Sequence, residues 1–271
     1  MIEDLINLDR FPLNDPNGER YQELVSRCQG DLAEMGMFSL DGFLRNDALH
    51  RCVKELSARL AAEAYTHRRT HNIYFDDRIT EIPPQHPARQ RLETVNHTLC
   101  ADQIPDNPVC QIYEWSPLAD FLSATLGKER LHLMADPLAR ANVLAYRHGE
   151  ALNWHFDRSE FTTTLLLQAS ESGGIFQYRR NLRSQDDPNY SGVAALIEDR
   201  DPSVQTLSLS PGTLNVFKGQ YTAHRITPVV GRKERIVAVY SFYDDPGVTF
   251  SSEERLGFYG RKEPLTMNDR M

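Results

Sequence analysis

Three residues in the second half of the sequence carry side chains that could form a metal site. His155 and Asp157 are two positions apart, so both side chains point to the same side of an extended chain. His224 follows in a later segment that also has the composition of a strand. Two imidazoles and one carboxylate leave coordination positions open, which favours non-haem Fe(II) acting on O₂. Structural zinc would need a closed ligand set, usually with thiolates, and no cysteine stands near these residues.

The spacing of the first two residues is weak support by itself. With 38 acidic residues and nine histidines in 271 positions, about one His-x-Asp/Glu pair is expected by chance. A second pair with this spacing, His148 and Glu150, encloses Gly149 between two predicted strands. We interpret that second pair as a solvated turn.

An arginine follows the second histidine at the start of an apolar segment. Arg235 precedes the run Ile236–Tyr240, so a strand there would bury a guanidinium that needs an anionic partner. The fork of an arginine suits a carboxylate bidentately, as a lysine does not. The residues alone leave two alternatives open, a bound anionic ligand or a protein acid such as Glu234 or Asp245.

The elements that position these residues change character along the chain. Apolar spacing and cap residues predict three helices in the first half of the chain, over Glu19–Glu34, Asp47–Tyr65 and Ser116–Gly127. Asn46 and Ser116 are the predicted N-caps of the second and third helix. The polar stretch Thr70–Asp106 is predicted as a long loop that borders a binding site. Strands are predicted over Asn142–Arg147, Thr162–Gln168, Gly174–Tyr178, Val204–Leu209, Thr213–Phe217, Ala223–Thr227 and Arg235–Tyr243, with a helix at Tyr190–Glu198.

Frequent strands without alternating helices favour an antiparallel barrel or jelly roll. We therefore expect a mainly β fold with N-terminal helices. The expected division is a helical region at 1–135 with the loop, a β core at 136–250 and a C-terminal segment at 251–271.

Composition excludes several classes of partner. Thirty basic against 38 acidic residues give a net charge of −8, which argues against nucleic-acid or anionic-membrane binding. Apolar runs are too short to span a membrane, and the N-terminus lacks the pattern of an export signal. Four cysteines without a CxxC pair predict reduced thiols, and we expect a cytoplasmic protein. The sequence carries no signal for the oligomeric state.

Several other residues are candidates for substrate contact, each with a simpler alternative. Arg69 and Arg78, with Arg68, flank the predicted loop and could hold a substrate carboxylate, although surface charge is the preferred interpretation. Trp154 is predicted as a pocket wall beside His155. His67 and His71 are four apart, but a zinc site on one helix face is disfavoured because the residues between them are basic and polar.

The residues around the candidate metal site resemble those of the Fe(II)- and 2-oxoglutarate-dependent oxygenases, whose fold is a double-stranded β-helix. The resemblance rests on the ligand pattern, on the segment leading into it and on the run after the second histidine, namely Tyr146-x-x-Gly149-x-x-Leu152-x-Trp154-His155-x-Asp157 and His224-Arg225-Ile226-Thr227-Pro228 with Gly231 and Arg235. Further blocks are similar to a bacterial branch that contains free-amino-acid hydroxylases and lysine halogenases, including Asp136-Pro137-Leu138-Ala139 and Phe258-Tyr259-Gly260-Arg261.

The resemblance implies a role for each matching residue. His155, Asp157 and His224 would bind Fe(II), Arg235 would hold the distal carboxylate of 2-oxoglutarate, and Tyr146 would be its hydroxyl partner. O₂ would take the remaining position on the metal, and decarboxylation of the keto acid would yield succinate. Halogenases of this branch replace the carboxylate ligand by a small residue, so Asp157 favours hydroxylation.

The substrate side departs from the lysine-acting pattern, which places acids near the substrate ammonium. Here Arg158 follows Asp157 and Leu138 lies upstream, so the substrate is expected to differ from lysine and to present an anion to Arg158. An ion pair between Arg158 and Glu160 is the alternative. Tyr259, in the C-terminal block, is a further candidate for substrate contact.

The expected activity is hydroxylation of an unactivated C–H bond in a small polar molecule, a free amino acid or a derivative. Desaturation or cyclisation by the same oxidant stays open as an alternative. A non-catalytic jelly-roll sensor that keeps the metal site is the alternative from another class.

Overall fold

The protein is described here by a computed structural model that covers residues 1–265. Its helices are α1 (Glu19–Met35), α2 (Asn46–Glu63), α3 (Pro108–Glu114), α4 (Ser116–Leu126), α5 (Tyr190–Ile197) and α6 (Ser252–Tyr259). Its strands are β1 (Met37–Leu40), β2 (Tyr65–His71), β3 (Leu92–Leu99), β4 (His132–Leu133), β5 (Ala141–Tyr146), β6 (Leu152–His155), β7 (Thr162–Gln168), β8 (Ser172–Gly173), β9 (Phe176–Arg179), β10 (Gln205–Leu207), β11 (Leu214–Phe217), β12 (Ala223–Ile226), β13 (Val229–Val230), β14 (Arg235–Tyr240) and β15 (Phe242–Tyr243).

Two antiparallel sheets form the body of the molecule. The large sheet has seven strands in the order β1-β11-β7-β14-β5-β3-β2, and the small sheet has four in the order β10-β9-β12-β6. The sheets face each other, with the rings of Phe176 on β9 and Phe217 on β11 centred 5.1 Å apart. This is the jelly-roll architecture expected from the sequence, and the cleft between the sheets holds the candidate site.

The N-terminal helices cover the outer face of the large sheet. Apolar residues at helical spacing give α1 a buried face of Leu24, Cys28 and Leu32, and the helix ends at Gly36, whose φ of 75° suits a residue without a side chain. Leu56 of α2 and Phe121 of α4 share one core with Leu165 and Ala238 of the sheet. The face of the large sheet that meets the helices is therefore apolar near β14 and β7.

The predicted strands are confirmed with small shifts of their ends, and the predicted helix at Tyr190–Glu198 appears as α5. The last predicted strand is interrupted at Ser241, so that β15 leaves the large sheet and pairs with β4. The predicted N-caps are each displaced by one residue. Asn46 and Ser116 already have helical backbone, and Arg45 and Trp115 occupy the cap positions.

The interpretation of Thr70–Asp106 as one loop is wrong. Strand β3 lies within it and joins β2 to β5, so three strands of the large sheet come from the region expected to be helical. Helix α6, which the sequence analysis did not predict, covers the open end of the sheet beside β2. No helix within residues 1–265 is both long and apolar enough to cross a bilayer.

Candidate metal centre

His155, Asp157 and His224 lie together in the cleft between the two sheets. The ligand atoms that they offer all lie within 4.8 Å of one another. The Asp157 carboxylate is 3.4 Å from the Nε2 atom of each histidine. Both imidazoles are buried, and the Asp157 side chain is about one-fifth exposed. The three residues therefore form a compact group of two nitrogen donors and one oxygen donor.

Backbone contacts fix the orientation of both imidazole rings. The Nδ1 atom of His155 donates to the carbonyl oxygen of Asn153 at 2.8 Å, and that of His224 donates to the carbonyl of Thr222 at 3.0 Å. Each contact holds the proton on Nδ1 and leaves the Nε2 lone pair facing the other two residues. This is the tautomer that a metal ligand requires.

The pairing of β6 with β12 sets the distance between the two histidines. His155 and His224 are direct cross-strand partners, and their ring centroids are 4.1 Å apart. Before the next pair, Leu152 with Ile226, β6 carries one more residue than β12, which is a β-bulge. Without the bulge, Leu152 and His155 would face opposite sides of the sheet, whereas both line the cavity.

The Asp157 carboxylate is held by residues that the sequence analysis missed. Thr162 donates its hydroxyl to Oδ2 of Asp157, and the Asp157 amide donates to the carbonyl of Gly219 at 3.1 Å. A Cβ atom on residue 219 would lie 2.1 Å from that Oδ2, so any larger residue here would displace the Asp157 carboxylate. The sequence signal was a glycine just before the segment that carries His224.

Electrostatics keep this carboxylate ionised. Burial alone would raise the pKa of Asp157, but the adjacent His224 and His155 outweigh it and hold the pKa well below the usual value. Burial, together with the neighbouring His224, lowers the pKa of His155. An ionised carboxylate beside a neutral imidazole is suited to a divalent cation.

Arg235 is buried in the same cavity as the three candidate ligands. Its side chain forms no ion pair within residues 1–265, and its Nε atom has no hydrogen-bond partner there. Glu234, one of the alternatives considered, instead pairs with Arg147 at 2.7 Å. Burial lowers the pKa of Arg235 to about 10, so the guanidinium is still charged at neutral pH. Such a group calls for an anionic ligand.

Tyr146 is the cross-strand partner of Arg235, on β5. Both residues line a cavity of about 600 Å³ that also contains His155, Asp157 and His224. Burial raises the pKa of Tyr146 and keeps its hydroxyl protonated. The structure thus brings the protonated Tyr146 hydroxyl and the Arg235 guanidinium into the cavity of the three candidate ligands.

A second cavity of about 260 Å³ lies between β2, β3 and α6 and shares His155, Asp157 and Arg158 with the first. Alternate residues of β2 face it, namely His67, Arg69 and His71. Arg69 makes no hydrogen bond or ion pair with the described part of the chain, and its guanidinium stands 4.7 Å from the centre of the Phe75 ring. The two histidines lie on a strand and not on the helix first considered.

The other candidates for substrate contact fall in different places. Tyr259 lines the second cavity, and its hydroxyl donates to Oδ1 of Asn142 at 3.0 Å. Arg158 stands at the edge of both cavities and pairs with Glu254 at 2.7 Å. Its expected alternative partner, Glu160, is instead 2.7 Å from Lys128.

Two candidates lie outside both cavities. Trp154 points to the other side of β6, where its ring lies 4.6 Å below the guanidinium of Arg225, because alternate residues of a strand face opposite ways. Arg78 is almost fully exposed and pairs with Asp76 at 3.0 Å.

Comparisons with known proteins agree with this architecture. The family model described as Halogenase D matches residues 22–253. No curated protein sequence matches the chain. Among solved structures, a 2OG-Fe(II) oxygenase family protein from Burkholderia pseudomallei superposes with a TM-score of 0.51 at 14% identity, covering 83% of this chain and 92% of its own.

Two further structures have the same fold. A prolyl hydroxylase from Trichoplax adhaerens, solved with a hypoxia inducible factor peptide, has a TM-score of 0.52 at 12% identity and covers 83% of this chain and 94% of its own. The non-heme alpha ketoglutarate dependent epimerase SnoN from nogalamycin biosynthesis has a TM-score of 0.56 at 12% identity. The match covers 92% of this chain and 98% of the epimerase chain.

The cofactor set expected from the sequence, Fe(II) with 2-oxoglutarate and O₂, is supported by this fold and by the His-Asp-His group. Because the family model spans most of the chain, the protein belongs to the Halogenase D family, and its fold is that of the 2OG-Fe(II) oxygenases.

Proposed function

We propose that this protein is an Fe(II)- and 2-oxoglutarate-dependent dioxygenase that hydroxylates an unactivated C–H bond of a small polar substrate, a free amino acid or a derivative. One observation carries the proposal. Arg235, which is buried and has no ion-pair partner among residues 1–265, shares a cavity with two correctly oriented imidazoles and an ionised carboxylate. A keto diacid that chelates the metal and ends in a second carboxylate satisfies both groups at once.

In this proposal His155, Asp157 and His224 hold the iron through Nε2, a carboxylate oxygen and Nε2. Three protein ligands of this kind would leave coordination positions open for the keto acid and O₂. When bound, iron with its co-substrate and O₂ would supply the oxidising chemistry for attack on a C–H bond. The protein's own part is to fix the ligands, through the carbonyls of Asn153 and Thr222 and the hydroxyl of Thr162.

Arg235 and Tyr146 would bind the distal carboxylate of 2-oxoglutarate. The guanidinium can offer two parallel N–H donors to that carboxylate, and the protonated Tyr146 hydroxyl can donate a third hydrogen bond. Both side chains are buried, so bulk solvent competes little with the ligand. The binding free energy then comes largely from pairing a charge that is otherwise buried alone.

The substrate would enter through the second cavity. Arg69, whose side chain has no ion-pair partner in the part of the chain that the structure describes, would receive a substrate carboxylate, with Arg158 and Tyr259 at the cavity wall. His71 contributes shape and not charge, because burial lowers its pKa to about 4. Its ring is held between the Asn72 carbonyl and the Thr94 hydroxyl, each at 2.9 Å.

The family is named for a halogenase, so halogenation is the second candidate function. Asp157 favours hydroxylation, because its carboxylate lies 3.4 Å from both Nε2 atoms and takes the position that a halide would need. Product mass in chloride buffer separates the outcomes. A gain of one oxygen supports hydroxylation, replacement of hydrogen by chlorine supports halogenation, and loss of two hydrogens supports desaturation or cyclisation.

The deciding experiment is an anaerobic titration of metal-free protein with Fe(II) and then 2-oxoglutarate, followed by visible absorption. We expect the charge-transfer band of a chelated keto acid, and release of succinate when O₂ and a substrate are added. A folded, iron-loaded protein without this band would refute the oxygenase assignment. A band without succinate release under any substrate would instead support the non-catalytic sensor.

A further inference from the structure

The main cavity is longer than a bound keto acid requires. Alternate residues of β14 and its continuation line it, from Arg235 through Val237 and Val239 to Ser241. At about 3.3 Å per residue this row spans about 20 Å. Thr162, which binds Asp157, starts β7 near the Ser241 end, because its neighbour Thr163 pairs with Tyr240. The space beyond Asp157 is therefore available to a substrate.

That far end is lined mainly by aromatic rings. Phe161 precedes Thr162, Phe242 follows Ser241, and Phe250 and Phe258 stack on each other with ring centroids 5.6 Å apart. We call these four residues the phenylalanine end of the cavity. All four rings are only half-buried. Apolar surface left partly open around a reaction site gains free energy when an apolar group covers it.

Free negative charge is missing from both cavities within the described residues 1–265. The acids that line them are Asp157, which faces the two histidines, and Glu254. The Glu254 carboxylate is 2.7 Å from Arg158. A side-chain ammonium placed in the phenylalanine end would lose its hydration without gaining a free carboxylate in exchange.

We propose that the substrate carries an apolar side chain in place of a terminal ammonium, and that this chain lies in the phenylalanine end while the polar head faces Arg69. The inference rests on the proposed function, since it concerns the same site. It narrows the substrate class to amino acids, or similar small carboxylic acids, with an unbranched, branched or aromatic hydrocarbon chain.

Norleucine and lysine make a matched pair of probes, because lysine is norleucine with an added terminal ammonium. With the Fe(II)- and 2-oxoglutarate-loaded enzyme, we expect kcat/KM for succinate release with norleucine to exceed that with lysine by about a hundredfold. Phenylalanine and leucine define how much volume the end accepts. Equal or better turnover of lysine would overturn the inference and leave the proposed function standing. Failure to bind 2-oxoglutarate would overturn the proposed function itself.

A charge placed in the phenylalanine end provides an independent test. Val248 lines this part of the cavity and is half-buried. Val248→Asp should lower the preference for norleucine over lysine by at least about thirtyfold, because the new carboxylate can pair with the ammonium. Val248→Asn has the same shape without the charge and should keep norleucine ahead. If both variants change the preference equally, or neither changes it, the substrate chain does not lie beside Val248 and the inference fails.

Discussion

Replacing Arg235 by methionine should stabilise the ligand-free protein and abolish binding of 2-oxoglutarate. Arg235 has about 6% of its surface exposed, and no acid pairs with it within residues 1–265. A buried ion pays a desolvation penalty of several kcal/mol that only a counter-ion repays. Methionine fills a similar volume without that penalty. We therefore expect Arg235→Met to raise the free energy of unfolding by about 1–3 kcal/mol.

The effect on the co-substrate has the opposite sign. Breaking a buried ion pair by removing one partner costs about 3–5 kcal/mol, which corresponds to a Kd for 2-oxoglutarate raised at least about a hundredfold. Arg235→Lys should also weaken binding, because one ammonium cannot replace a bidentate fork. Stability and affinity thus move in opposite directions for the same substitution.

Thermal melts with and without 2-oxoglutarate measure both effects on one sample set. Wild type should melt higher when Fe(II) and the keto acid are added, whereas Arg235→Met should melt higher than wild type without ligand and gain nothing from the keto acid. The matched control is Arg147→Met, which removes a half-exposed arginine paired with Glu234. It should change the stability by less than about 1 kcal/mol and leave co-substrate binding intact.

Two results would refute this reasoning. If Arg235→Met is less stable than wild type without ligand, the guanidinium already has a stabilising partner in the protein and is not available to pair with an anionic ligand. If the variant still gains stability from 2-oxoglutarate, the keto acid binds elsewhere. Either result would remove the main support for the proposed function.

Three further expectations follow from the same structure. Gly219→Ala should push the Asp157 carboxylate aside and weaken Fe(II) affinity about 10–100-fold while the protein stays folded. Metal titration measures the affinity, and circular dichroism serves as the control for folding. An unchanged affinity would contradict the close approach of residue 219 to Asp157. Because burial lowers the pKa of His71 to about 4, the folded state binds fewer protons than the unfolded state between about pH 4 and pH 6.5, so stability should fall as pH is lowered through that range. Urea melts of wild type and His71→Gln test the second expectation, since the variant should lose that part of the pH dependence. The four cysteines are buried, and burial raises their pKa values to about 11 or 12. A thiol reagent at pH 8 should therefore label them only in denaturant. Rapid labelling of the native protein would show that a thiol is accessible to solvent.

The sequence was most informative where local spacing alone decides the geometry. Residues two apart in extended chain share a side, so His155 and Asp157 could be placed together before any fold was known. The apolar run after Arg235 predicted a buried strand, and therefore a buried charge. The partner of that charge could not be read from the sequence, because it depends on which acids the sheet brings near.

Strands β2 and β3 were missed for a physical reason. A strand is recognised when apolar residues alternate with polar ones, but β2 is polar on both of its faces. One face, with His67 and Arg69, borders the second cavity, and the other, with Arg68 and Thr70, meets solvent. Pairing with β3 makes this segment a strand, and that partner lies more than twenty residues away along the chain.

The cross-strand pairing of His155 with His224 determines which sequence changes this protein can tolerate. The side chains alternate along each strand, and the bulge adds one residue to β6, which keeps His155 on the cavity side. Deleting one residue from the β6 bulge would turn His155 away from the cavity, although none of the three candidate ligands would have been substituted. Substitutions around the site can therefore accumulate gradually, because they leave the strand lengths unchanged. The lengths of β6 and β12, in contrast, are fixed by the orientation of the two histidines. Homologous chains should vary in length at the loops and not between Leu152 and His155.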